Sequence, residues 1–278
     1  MAFSNMGLVS ALVLLLPLLL PTEADYVTWA QCTRYGRRER VREYPTDTEA
    51  TWLNLAMCRI KNVTLTDING LPNLVFLFLN YNNIENIDTA AFRSLPNLTK
   101  VELGYNKLKQ APVFVENSCP SLTELFLWNN QIENINNGET FSPCAKLERL
   151  FLSNNQIEHL HPDLFKSLPE LKELYLYDNK INFIPEQMFE SSKLQRLDLH
   201  ENRLSYLPAN FVGKLPSLSQ FDFSDNPWEC ECFLELIEEV KKVPKLTYNE
   251  GTRPECVNNS TKSCNRRSSS HGVFTRLG

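Results

Sequence analysis

Apolar residues return along this chain with two superposed periods. The short one is the alternation x-x-L-x-L-x-x, the period-two signature of a half-buried strand. The long one spaces those strands. Leu74, Leu98, Leu122, Leu147, Leu171, Leu194 and Leu218 open seven segments, set 24, 24, 25, 24, 23 and 24 residues apart. Each continues as L-x-x-L-x-L-x-x-N-x-L, as Leu122, Leu125, Leu127, Asn130 and Ile132 show. A degenerate eighth copy comes first, at Ala50, Leu53, Leu55, Cys58 and Ile60. One such unit cannot bury its own apolar face, so the copies must stack. Stacking predicts a parallel sheet with strands about 4.8 Å apart, leucines inward and x residues outward.

Two further columns follow from the same phase. Asn82, Asn106, Asn130, Asn155, Asn179, Asn202 and Asn226 fall where the chain leaves each strand. A buried Asn there can satisfy turn backbone groups that the sheet no longer pairs. Phe92, Phe114, Phe141, Phe165, Phe189 and Phe211 recur in the second half of the repeats and should stack as an apolar spine. Both columns read as structure, not as ligand sites.

The outward x positions carry the candidate chemistry. The middle column runs Asn54, Phe78, Glu102, Phe126, Phe151, Tyr175, Asp198, Asp222. The next runs Ala56, Asn80, Gly104, Trp128, Ser153, Tyr177, His200, Ser224, and the column before the Asn ladder adds Tyr81 and Tyr105. Phe78, Phe126, Phe151, Tyr175, Trp128 and Tyr177 are expected to form one aromatic patch. Asp198, Glu201, Asp222 and Asp225 are expected to form an acidic end beside His200. Clustered exposed aromatics are costly in water and typical of protein-binding hot spots. The alternative is that they only cover the sheet.

Composition narrows the picture. The chain has 278 residues, 42% hydrophobic and 22% charged, with a net charge of −5. That balance argues against nonspecific nucleic-acid binding, which needs a basic field. Nine glycines leave little room for phosphate-cradling loops. Motifs of nucleophilic, metalloprotease or phosphate-binding catalysis are lacking, and an enzyme is not expected. No metal or cofactor is expected either; His159 and His161 read as surface residues. Eight cysteines point to disulfides, given an oxidising compartment. Residues 8–20, LVSALVLLLPLLL, supply that compartment. The run is short for a membrane span and suits a signal-peptide core over residues 1–24, with Thr22 and Ala24 as small cleavage-site residues. An uncleaved anchor is the alternative. The mature chain then begins near Asp25 and is secreted, soluble or matrix-bound.

Cys119 and Cys144 each sit three residues before a repeat's first leucine. Equivalent positions of adjacent repeats stack near the strand spacing, so these two are expected to bridge. Asn62, Asn97, Asn258 and Asn259 open N-x-Ser/Thr glycosylation acceptors. Arg34, Arg37, Arg38, Arg40 and Arg42 form a basic run, usually a solvated face, on which a glycosaminoglycan could dock. Residues 265–278 read as a basic, Ser-rich disordered tail.

The repeat consensus, with Asn or Cys at its ninth position, resembles the extracellular leucine-rich-repeat family. The resemblance implies an α/β solenoid: a curved horseshoe with a parallel sheet on the concave face and an irregular, short-helical convex side. Eight repeats would span residues 50–225. The run NPWECECFLELIEEVKKV with Cys256 and Cys264 downstream looks like the family's C-terminal cysteine cap, over residues 226–264. By that likeness Cys230 pairs with Cys256 and Cys232 with Cys264; Phe233 to Val240 is itself apolar at helical spacing and should lie across the last repeat. Zinc ligation by these cysteines is the rival reading. Residues 25–49 would be the N-terminal cap, with Val27 to Cys32 and Arg40 to Tyr44 as its hairpin. It holds one cysteine where related caps carry four. Cys58 is the partner open to Cys32; a buried free Cys58 is the alternative. Chondroadherin-like matrix proteins, small leucine-rich proteoglycans, variable lymphocyte receptors and leucine-rich plasma glycoproteins share the architecture. The resemblance implies a secreted protein that binds a protein ligand through its concave face, as a matrix or adhesion component. The alternative is a soluble recognition, immune or inhibitor protein of body fluid.

Overall fold

The leucines of the short period do turn inward. Leu53, Leu77, Val101, Leu125, Leu150, Leu174 and Leu197 are wholly buried, and Phe221 closes the column at the same position. Each is the middle residue of a three-residue strand whose flanking side chains face out. The computed structural model describes residues 26–27, 50–254 except 69 and 191, and residue 264.

The strands are β1 (Tyr26–Val27), β2 (Trp52–Asn54), β3 (Asn62–Val63), β4 (Phe76–Phe78), β5 (Asn86–Ile87), β6 (Lys100–Glu102), β7 (Glu124–Phe126), β8 (Asn134–Ile135), β9 (Arg149–Phe151), β10 (His159–Leu160), β11 (Glu173–Tyr175), β12 (Arg196–Asp198), β13 (Gln220–Asp222) and β14 (Thr247–Asn249). Ten of them form one parallel sheet in the order β1-β2-β4-β6-β7-β9-β11-β12-β13-β14. Eight come from the eight repeats, and their registers align Leu53 with Leu77, Leu125 with Leu150, and Leu197 with Phe221. The protein is thus a solenoid with its sheet on the concave face. β1 and β14 extend the sheet by one strand at each end. β14 was not expected from the sequence. Of the hairpin predicted for residues 27–44, Val27 lies in β1, parallel to β2, and the remainder lies outside the described residues.

The Asn ladder is the main polar frame. Asn130 Nδ2 donates to the carbonyls of Leu103 (3.0 Å), Leu127 (3.0 Å) and Trp128 (3.3 Å), while its Oδ1 accepts the Leu108 N–H at 3.0 Å. Asn82, Asn106, Asn155, Asn179, Asn202 and Asn226 repeat this pattern. Each amide therefore ties its own turn to the repeat before it. On the return side Phe92 contacts Phe114 at 5.4 Å, and Phe189 contacts Phe165 at 5.8 Å and Phe211 at 5.9 Å. That side also holds two short parallel sheets, β3–β5 and β8–β10, where only irregular and short-helical chain was expected.

Cys119 and Cys144, both buried, are bridged, which joins the return segments of two adjacent repeats. Cys232 and Cys264 are bridged as well. Cys58 and Cys230 are also disulfide-bonded, which removes the free-thiol alternative for Cys58. Cys32 and Cys256 lie outside the described residues. The helix is Cys230–Lys241, longer at both ends than Phe233 to Val240. It buries Phe233, Leu236, Ile237 and Val240, the i, i+3, i+4, i+7 face, with Phe233 against Phe223 of the last repeat. Its Glu239 carboxylate accepts the backbone N–H groups of Asn210 (2.9 Å) and Val212 (3.3 Å), so polar contacts also pin the helix to the return segment of the repeat before the last.

Candidate functional site

The outward columns arise because parallel pairing puts the same x position of every repeat in one row. Phe126, Phe151 and Tyr175 stack ring on ring, at 4.3 and 4.4 Å with interplanar angles of 9° and 8°. All three stay half-buried. The strand spacing is close to an aromatic stacking distance, so three successive aromatics in one column must stack. The Lys100 ammonium sits 4.4 Å from the Phe126 ring centre and the Arg196 guanidinium 4.9 Å from that of Tyr175. Both ends of the stack are thereby capped by cations.

The expected single patch is divided. Phe78 packs at 5.5 Å on Trp52, which also meets Phe76 at 4.3 Å. Glu102 stands between Phe78 and Phe126 in the same column, pairing with Lys100 at 3.0 Å. Trp128 turns away from the Phe126 stack and meets Tyr105 edge-on at 5.0 Å. It covers Gly104, where a Cβ would lie 2.5 Å from the indole nitrogen. Tyr105 in turn stacks on Tyr81 at 4.4 Å. Tyr177 stacks on His200 at 4.5 Å.

The acidic end is also rearranged. Asp198, read as an exposed carboxylate, is only 7% exposed. It lies between Tyr175 and Asp222 in its column, and His200 Nδ1 is 2.5 Å from its Oδ1. Burial pushes its carboxyl above the ordinary aspartate range, and His200 pulls part of the way back. Asp222 accepts from the Ser224 hydroxyl at 2.7 Å and the Asn249 amide at 2.9 Å. Asp198, His200 and Asp222 each place one potential ligand atom within 4.8 Å of the others. Asp198 is bonded to His200, and Asp222 separately to Ser224 and Asn249, so each carboxylate already has a protein partner. Glu201 and Asp225 remain exposed.

The first outward column was overlooked. It alternates in charge, Lys100, Glu124, Arg149, Glu173, Arg196, and the signal was present at the x before each strand leucine. Glu124 pairs with both Lys100 and Arg149. Glu173 accepts the Tyr175 hydroxyl at 2.7 Å; burial first, then this bond, raises that phenol. Burial likewise raises the Glu102 carboxyl against the pull of Lys100. These pairs fix the aromatic stack in place between charged rails.

Of the acceptor asparagines, Asn97 is exposed, and Asn62 accepts from Asn86 at 3.2 Å on the return side. Asn258, Asn259 and the arginines from Arg34 to Arg42 lie outside the described residues. Among the described residues no helix is long and apolar enough to cross a membrane.

A buried-leucine parallel solenoid with an Asn ladder defines a class, and comparison agrees. The leucine rich repeat family model matches residues 48–108, 120–181 and 169–227. The chain belongs to this family. No curated protein matches it. Among solved structures it is similar to a chain of the octameric complex of Latrophilin 3 (Lec, Olf), Unc5D (Ig, Ig2, TSP1) and FLRT2 (LRR). The likeness has 27% identity and a TM-score of 0.54, over 71% of this chain and 69% of that one.

Proposed function

We propose that this is a secreted binding protein that holds an extracellular protein ligand on its concave sheet, as a matrix or adhesion component. The observation that carries the reading is the stack Phe126–Phe151–Tyr175, held half-exposed at the middle of the sheet and fixed by charged neighbours. Rigid aromatic surface that is already ordered binds at low entropic cost. The similar structure is a complex whose leucine-rich-repeat component is FLRT2, which favours protein partners. The apolar run at residues 8–20, the disulfides and the exposed acceptor at Asn97 favour an extracellular location. On this reading residues 1–24 are a signal peptide, residues 25–49 and 226–264 cap the eight repeats, and residues 265–278 form the tail. Cys32–Cys58 and Cys230–Cys256 complete the disulfide set. The arginine run remains a candidate glycosaminoglycan contact.

The test is surface-plasmon binding of Phe151→Ala and Tyr175→Ala variants against an array of extracellular domains. Truncating such anchors should weaken a captured partner by about tenfold or more, with secretion unchanged. Full binding by both variants, with loss in Arg37→Ala/Arg38→Ala, would instead favour a polyanionic ligand.

A further inference from the structure

The turn after each sheet strand passes through a residue with positive φ. In the last five repeats these positions hold Asn129, Asn154, Asp178, Glu201 and Asp225, four of the five being the Asn or Asp that the left-handed region favours. The first three repeats place Met57, Tyr81 and Tyr105 there, at φ 60°, 57° and 54°. Bulky side chains gain nothing from this backbone. Nor are they there for the core: Met57 is 58% exposed, Tyr81 44% and Tyr105 39%. Residues that are both strained and exposed, in one continuous row, mark contact surface and not packing. The row runs on into Trp128, which Tyr105 meets edge-on.

The carboxylate beside the row, Glu102 next to Tyr81 and Trp128, is already paired with Lys100 at 3.0 Å. Arg59 and Lys107, two residues beyond Met57 and Tyr105, are exposed and have no acidic partner among the described residues. Of the cations in the sheet strands, Lys100 and Arg149 are paired with carboxylates and Arg196 lies over the Tyr175 ring. Tyr81 and Tyr105 spend their facing ring surfaces on each other, and an aromatic edge is the positive part of its quadrupole. Ring edges and free cations together favour oxygen acceptors.

We propose that the ridge Met57–Tyr81–Tyr105, on the rim where the strands exit, is a second contact surface, for an acidic segment bearing apolar or aromatic side chains on an extracellular protein partner. The proposal rests on the protein-binding function but uses the rim in place of the sheet columns. The probe is a phage-displayed library of random peptides panned on the full secreted chain, with enriched peptides then measured by biolayer interferometry. Tyr81→Asn/Tyr105→Asn installs the side chain that the fourth and fifth repeats carry at this position, so its thermal midpoint should match the parent. Enrichment of peptides combining Asp or Glu with aromatics is expected. Their affinity should fall about tenfold or more in Tyr81→Asn/Tyr105→Asn and likewise in Arg59→Glu/Lys107→Glu. Enrichment of basic peptides, of peptides indifferent to both rim variants, or of none overturns the proposal. Peptides lost only in Phe151→Ala/Tyr175→Ala overturn it while leaving the sheet-face reading intact. Rim-dependent peptides that survive Phe151→Ala/Tyr175→Ala support it and count against the sheet face. Sedimentation showing a dimer that dissolves in Tyr81→Asn/Tyr105→Asn makes the occupant a second copy, and also overturns it.

Discussion

At the scale of single residues, most of the polar chemistry is spent on holding the turns. Asn130 satisfies three carbonyls and one N–H, and no other neutral side chain offers an acceptor and two donors in so short a reach. Asn130→Ala should leave those buried groups unmade and lower unfolding free energy by about 2–4 kcal/mol, measured by urea denaturation. Asp198 behaves differently. Its folded pKa is raised by burial, so the folded state holds the proton more tightly than the unfolded chain. The stability it contributes is complete below the ordinary aspartate range and is lost as pH rises through the raised value. Asp198→Asn keeps an acceptor for His200 and removes that loss. Its thermal midpoint should exceed the parent's at pH 7, and the gap should close as pH falls toward about 4. A lower midpoint at pH 7 would show that the ionised form is favoured by its neighbours. The identity of Asp198 as an x residue was legible in the sequence. Its burial was not, because alternation says which face a side chain takes, and crowding on that face depends on its neighbours in adjacent repeats.

At the scale of elements, three-residue strands are too short to hold alone, and each is held by the two beside it. The Cys119–Cys144 bridge adds a covalent tie between consecutive return segments, closing a loop with a sequence separation of 25. Replacing both cysteines by Ala should lower stability by about 3 kcal/mol on the chain-entropy model. The readout is the denaturation midpoint of the double variant against the parent under non-reducing conditions. The phase of the repeats was sufficient to place these two cysteines together. The helix Cys230–Lys241 was legible from its apolar spacing, but β14 was not: Thr247–Asn249 shows no leucine and becomes a strand only because β13 offers it an open edge.

At the scale of the whole molecule, charge is distributed unevenly along the solenoid. The central repeats pair their charges with one another, through Lys100, Glu124 and Arg149 and through Glu148 and Lys172. The last repeats leave Glu201, Asp222 and Asp225 without a Lys or Arg partner among the described residues. A partner with a basic surface should therefore associate faster at low salt, and Glu201→Lys/Asp225→Lys should reduce its association rate and flatten the salt dependence. Stopped-flow or plasmon kinetics at two ionic strengths would measure this; an unchanged rate would place the contact elsewhere. The sequence by itself determined the solenoid, its eight turns, its inward leucines and its Asn ladder. It could do so because a strict repeat makes every copy report on the same local geometry. Tertiary structure alone decided how the outward residues group. Phe126, Phe151 and Tyr175 stack because their repeats are adjacent and their column is shared. Phe78 is cut off by Glu102, Trp128 folds onto Gly104, and Asp198 sinks beside His200. Those outcomes depend on the size and charge of side chains some 24 residues away, brought within a strand's width only by stacking.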